Sequence, residues 1–242
     1  MTQAGFDFAA AIKARPDYGQ REAFYGSYTY TEAGKGWVNP DPKWEAANLV
    51  LVPLSQLPHW PLYLGVTPVK GVRVHQLVAP VLVATWAEVV RRGLHTRVRS
   101  FDGAFAARHM TNDPARPLSN HAKGSALDFD AGTNGFGVPL ARATLDREFA
   151  RVWEECGWSW GGRWNPCDAM HFEWLTQEPS LRPEWQDAMG RPAPAAPKGV
   201  RVYDGAQWRG VPFGERQEIE LSRGVVLVVN ATDPDAVMVR LK

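Results

Sequence analysis

Two short stretches of this 242-residue chain gather side chains that can bind a metal and move a proton. The first is Ser119-Asn120-His121-Ala122-Lys123-Gly124-Ser125-Ala126-Leu127-Asp128, and the second is Asp168-Ala169-Met170-His171-Phe172-Glu173-Trp174. A catalytic zinc takes about three His or carboxylate ligands and keeps one position open for water. His121 on a loop and Asp128 on the following strand can converge if Gly124 and Ser125 let the chain fold back closely. His171, opening another strand, offers a third ligand. Asp168, in the turn before it, would face the water instead of the metal, as a general base should. The helical HExxH arrangement is absent. Asp130 and Glu173 remain rivals: Asp130 as a ligand or a supporting group on the same strand face as Asp128, Glu173 as a partner of His171 or a surface acid. Cys156 and Cys167 read as free thiols, with a disulfide open to them only in an oxidising compartment. His59, His75 and His95 have no acidic or histidine neighbour at ligand spacing and read as surface or packing residues. His109, beside Arg108, is open to either reading.

The elements that must position these groups follow from periodicity and punctuation. A short helix is expected within Phe6 to Ala14, and a buried strand over Asn48 to Pro53. Pro80, Arg91, Arg92 and Gly93 delimit a helix over Ala79 to Arg92. His95 to Phe101 alternates as a strand does, and Ser125 to Asp130 reads as another. Leu145, Phe149, Val152 and Trp153 share one face of a helix expected over Leu140 to Cys156, with Gly157 as its stop. Met170 to Trp174 reads as a strand and Pro183 to Met189 as a short helix. The run GRPAPAAPKG, residues 190–199, has a linker's composition. Beyond it lie five β-like runs: 200–203, 207–211, 218–221, 225–229 and 237–241. The expected architecture is α+β, a small antiparallel sheet with flanking helices carrying the site, then a small C-terminal β module. The corresponding parts are an N-terminal extension at 1–43, a main domain at 44–189, the linker at 190–199 and the β module at 200–242.

Composition excludes several classes. Lys and Arg number 27 against 26 Asp and Glu, so there is no basic excess with which to neutralise a run of phosphates, and a dedicated nucleic-acid binder is excluded. Leu77 to Val90 is broken by Pro80, Thr85 and Glu88 and falls short of the roughly 18–20 apolar residues that a membrane span needs. The opening MTQAGFDFAAAIKARPDYG has no basic segment followed by an apolar one, so synthesis in the cytosol is expected. Of the 11 tryptophans, six fall between Trp153 and Trp185. Trp158, Trp160 and Trp164 alternate with Gly157, Gly161 and Gly162, which favours a loop-rich, partly exposed wall, with Trp160 expected at the substrate.

Ser119, His121, Gly124, Ala126 and Asp128, followed by Asp168 and His171, resemble the zinc peptidoglycan peptidases of the D-alanyl-D-alanine carboxypeptidase and L-alanyl-D-glutamate endopeptidase type. The resemblance runs from about Ser100 to Trp174, extends back toward Trp44, and does not cover the first forty residues or the tail. It implies zinc bound by His121, Asp128 and His171, with Asp168 as catalytic base. FDGAFAAR is similar to a segment that carries an arginine in that family, so Arg108 is implied to bind a substrate carboxylate or the developing oxyanion. Ser119 is implied to contact the peptide. Some members have Glu where Asp168 stands, and the shorter side chain must then sit nearer the water or act through a second one.

Three functions follow as expectations. The first is a zinc-dependent peptidase on the peptide stems of bacterial peptidoglycan, monomeric, released to the wall as a phage or prophage endolysin or else recycling muropeptides in the cytosol. The second is a non-catalytic wall-binding or virion-associated module on the same fold, disfavoured by the complete ligand set. The third is the same zinc chemistry on another amide, such as a free dipeptide. The β-like tail, residues 200–242, is read either as a wall anchor or as a packing extension.

Overall fold

Asp41 and Asp146 each precede an amphipathic run and each caps a helix. The Asp41 side chain accepts from the Lys43 amide, and the Asp146 side chain accepts from the amides of Glu148 and Phe149. Such local signals, together with buried strands that alternate little, build a first unit spanning Met1–Ala188; a second spans Met189–Lys242. The computed structural model describes residues 6–176 and, in the second unit, the backbone of residues 199–203, 208–212, 216–221, 225–230 and 237–241.

In chain order the first unit contains α1 (Phe8–Ala14), α2 (Arg21–Tyr25), β1 (Tyr30–Gly34), β2 (Trp37–Pro40), α3 (Pro42–Asn48), β3 (Leu49–Pro53), β4 (Gly71–His75), α4 (Ala79–Arg91), β5 (Phe101–Gly103), β6 (Ala126–Phe129), α5 (Ala131–Asn134), α6 (Arg147–Glu155), β7 (Ser159–Trp160) and β8 (His171–Glu173). The sheet that matters for the site has the order β5-β6-β8-β7, and every neighbouring pair in it is antiparallel. β1 pairs with β2, and β3 with β4, as separate antiparallel hairpins. The architecture is α+β. In the second unit, strands 199–203 and 208–212 form one antiparallel pair, while 216–221, 225–230 and 237–241 form a three-stranded antiparallel sheet. The expected helix at 183–189 and the linker at 190–199 lie outside the described residues, apart from Gly199 at the start of a strand.

An aromatic core backs the site sheet. Phe129 of β6 packs edge-on against Phe149 and Phe172 and stacks on Trp86, while Trp153 leans on both Phe129 and Phe172. α4 contributes Val81, Leu82, Trp86 and Val89, and α6 contributes Phe149, Val152 and Trp153. The aromatic residues among them bury roughly 150–250 Å² each and dominate the stabilisation.

The strand expected to be buried over Asn48 to Pro53 forms as β3, but at the edge of a two-stranded pair it buries only Val52, with Val50 and Leu51 exposed. Two further elements differ from expectation, each for a local reason. His95 to Phe101 is not a strand: Leu94–Arg97 forms a 3-10 turn after Gly93 (φ 71°), and the amides of Arg99 and Ser100 both donate to the Asp130 carboxylate instead of to a neighbouring strand. The second long helix begins at Arg147, not Leu140, because the Asn134 side-chain carbonyl accepts the amides of Thr144 and Leu145. The first forty residues, in which no period is sustained, contribute buried Tyr25 and Val38 to the first unit, and the Tyr25 hydroxyl donates to the Trp174 carbonyl.

Gly124 closes the His121 turn at φ 67°, and a Cβ there would lie 2.7 Å from the His75 amide nitrogen and 2.8 Å from Leu49. Backbone cannot yield as a flexible side chain can. Gly124→Ala is therefore expected to destabilise the first unit by at least about 1–3 kcal/mol, read by denaturant unfolding of the variant against the parent.

Candidate metal centre

His121 lies in a 3-10 turn, Asn120–Lys123, whose entry is capped by the Ser119 hydroxyl accepting the His121 amide at 3.3 Å. Asp128 is on β6 and His171 on β8, and the register of that antiparallel pair sets these two residues directly opposite one another. All three are buried. His121 Nε2 stands 3.1 Å from His171 Nδ1 and 3.1 Å from Asp128 Oδ2, while His171 Nδ1 is 3.0 Å from Asp128 Oδ1. One ligand atom from each residue therefore points at a common centre.

The donor set fits a divalent metal. Ligands about 2.0–2.1 Å from a tetrahedral zinc stand about 3.3 Å apart, close to the separations found. Each imidazole also has its other nitrogen engaged, so its orientation is defined: His121 Nδ1 donates to the Ala104 carbonyl at 2.6 Å, and His171 Nε2 faces Glu173 Oε2 at 3.2 Å. Electrostatics make the same demand. Burial works against a charged His171, yet hydrogen bonds to Asp128 and Glu173 push it up to about 10. Burial likewise opposes ionisation of Asp128, and the two imidazoles overcome it, holding its carboxyl far below the usual range. The cluster calls for positive charge at its centre, which a proton or a metal cation can supply.

A cavity of about 270 Å³ opens over this group, with Arg108, Ser119, Asp168 and Trp164 also in its walls. Asp168 is buried, and its Oδ1 has no hydrogen-bond partner among the described residues. Burial pushes its carboxyl up to about 6, the Asp128 carboxylate adding to the effect while His171, His121 and Arg108 oppose it. The half-buried Arg108 donates to the carbonyl of its neighbour His109 at 3.4 Å. A second cavity, about 380 Å³, also includes Arg108, His121 and Asp128 in its lining. The metal group thus sits where two cavities meet.

Several expectations need correction or refinement. Trp160 does not line the cavity: it is buried, donates from Nε1 to the Ala169 carbonyl at 2.8 Å, and stacks on Phe172. Its neighbour Trp164 does line the wall, 5.2 Å from the His171 ring, with Nε1 unpaired among the described residues. Strand alternation does not extend to Asp130, which follows the end of β6 at φ 52° and spends Oδ1 on two backbone amides. It is therefore no ligand. Cys156 and Cys167 are both free. Of the other histidines, His75 is buried against the Tyr25 carbonyl, His59 stacks on His95, and His109 bridges the Arg116 carbonyl and Glu32.

Two contributors were missed from sequence. The Asn120 side-chain amide donates to Glu173 Oε2 at 2.6 Å, and its carbonyl accepts from Arg21 Nη1 at 3.2 Å. A chain of contacts therefore runs from α2 through Asn120 and Glu173 to His171. Asn120 sits beside a candidate ligand, which is a usable signal, whereas Arg21, 99 positions earlier, carries none.

Residues 112–174 match the sequence profile of a D-alanyl-D-alanine carboxypeptidase family. The matched segment holds Ser119, His121, Asp128, Asp168 and His171, while Arg108 and Arg21 precede it. The carboxypeptidase match supports a peptidase, and the His-Asp-His group is one that could hold a metal ion. No curated protein and no solved structure matches the chain significantly. Among the described residues, no helix is long and apolar enough to cross a membrane.

Partners that orient a ligating histidine typically carry 10–100-fold of metal affinity. Glu173→Gln is therefore expected to weaken zinc binding by roughly 10–100-fold, measured by competition with a chromophoric chelator, while circular dichroism stays that of the parent.

Proposed function

We propose that this chain is a zinc-dependent peptidase that hydrolyses the peptide stems of bacterial peptidoglycan. The observation that carries the reading is the convergence of His121, Asp128 and His171 in the lining of a cavity whose walls also include the buried Asp168 carboxylate. His121, Asp128 and His171 would hold the zinc, which would supply a Lewis acid and ease deprotonation of the attacking water near neutral pH.

The remaining work falls to the protein. Asp168 accepts the proton of the attacking water and returns it to the leaving amine. Its burial excludes bulk water from that transfer. Arg108 engages a stem carboxylate or the oxygen that becomes negative as the carbonyl carbon turns tetrahedral. The Ser119 hydroxyl accepts the His121 amide, which leaves its own proton for a substrate carbonyl. Trp164 adds an aromatic ring to the cavity wall.

Of the two bond types in the resembling family, we favour the endopeptidase type. A carboxypeptidase needs room for one terminal residue beyond the reacting carbonyl, while His121 and Asp128 line two cavities, of about 270 and 380 Å³, which leave room for more of the substrate. An enzyme of this kind that meets intact wall would act as an endolysin does.

His121→Ala is expected to lose bound zinc and hydrolysis together. Asp168→Ala should keep the metal and the fold while turnover drops about 10²–10⁴-fold, the range for a general base. Digestion of purified peptidoglycan, followed by mass spectrometry, reads both variants and identifies the bond. Near-normal turnover by Asp168→Ala would transfer the base role elsewhere, and release of terminal alanine alone would replace the endopeptidase reading with a carboxypeptidase.

A further inference from the structure

The second cavity contains features that hydrolysis does not use. Trp37 at the start of β2 is 46% exposed, whereas every other described tryptophan is buried or half-buried. It is held at the rim of this cavity by backbone: the Val38 amide donates to Ala107 and the His109 amide to Gly36, so Trp37 lies against Arg108. Tyr63, in the lining of the same cavity, is 38% exposed in a turn tied down by its own amide to Thr67 and by Leu64 to Phe101. Arg73, Asp102 and Arg108 add hydrogen-bonding groups to the same walls. Two aromatic rings presented from separate, backbone-fixed segments in the walls of one cavity are available to a ligand that can pack on them.

The chemistry selects the ligand. A pyranose ring has a flat face of C–H groups that packs on an aromatic ring and an edge of hydroxyls that needs donors and acceptors. The cavity offers both. An extended peptide would instead seek a free strand edge. Here the edge of β5 at Phe101 is already occupied, with the Phe101 amide donating to Leu62 and the Leu64 amide to Phe101. Because His121 and Asp128 line this cavity too, whatever it holds is continuous with the peptide at the reacting centre.

We propose that the cavity bounded by Trp37, Tyr63, Arg73 and Asp102 is a carbohydrate subsite that holds a sugar ring of the glycan strand to which the cleaved stem is attached. The inference rests on the peptidase reading for its placement beside the stem, and on the cavity's own walls for the sugar. The enzyme would then favour sugar-bearing stems over free peptides of the same sequence.

Two measurements test it on the full-length, zinc-loaded protein. The first compares kcat/KM for a disaccharide-linked stem with that for the free stem. The parent should prefer the linked substrate, Trp37→Ala should lower that ratio roughly three- to tenfold through KM, as expected for loss of one aromatic contact, and Trp37→Phe should restore most of it. An equal rate on both substrates, or an unchanged ratio in Trp37→Ala, overturns the proposal. The second titrates the glycan disaccharide alone, without turnover, by ligand-observed NMR. Binding by the parent that is lost in Trp37→Ala supports the subsite even if no stem is cleaved, in which case the peptidase reading fails by itself. No binding by the parent overturns the subsite whatever the peptidase activity.

Discussion

Asp128 and His171 face each other because β6 and β8 pair antiparallel in one register, Ala126 with Glu173, Leu127 with Phe172 and Asp128 with His171. A slip of one residue would turn every side chain to the opposite face. The polar pair would then enter the aromatic core, and Leu127 and Phe172 would face the cavity. The core enforces the register, since both of those apolar residues are fully buried on the other side. The hydrophobic packing of Phe129, Phe149, Trp153 and Phe172 is thus what holds two metal-binding side chains a hydrogen-bond length apart, and the third ligand is brought in by the tight Ser119–Gly124 turn.

Buried polar groups are costly unless each is matched. The site meets that requirement outward from its centre: His121 is anchored on Ala104, His171 on Glu173, Glu173 on Asn120 and Asn120 on Arg21. The conspicuous exception at the centre is Asp168 Oδ1, which packs into the cavity wall without a partner. An unmatched buried carboxylate oxygen is a cost that folding alone does not repay, and Asp168 lines the same cavity as the ligand cluster, where a carboxylate has a chemical use. The N-terminal segment belongs to the same construction. α2 supplies Arg21 to the outer contacts, and the β1–β2 hairpin fixes Trp37 beside Arg108.

What the sequence made readable was local. Pro80 and Gly93 bracket α4, the Leu145-Phe149-Val152-Trp153 face identifies α6, and the two polar motifs point to the residues that the structure gathers around one centre. The misreadings share a physical cause, side chains that capture backbone amides from a distance. Asn134 takes the amides that would have begun α6 early, and Asp130 takes those of Arg99 and Ser100, breaking the alternation of 95–101. No periodicity in a single sequence reports such captures. The tryptophan wall was misassigned by one position in the pattern: Trp160 and Trp164 look alike in a Gly-rich loop, and only packing on Phe172 separates the core ring from the cavity ring.

X-ray absorption at the zinc edge of the zinc-loaded protein tests the central claim most directly. Three protein ligands from His121, Asp128 and His171 predict a first shell of nitrogen and oxygen at about 2.0–2.2 Å with the outer scattering of two imidazoles, and no sulfur. A sulfur shell at about 2.3 Å would move the metal to a cysteine and contradict the account, as would a protein that binds no zinc at all.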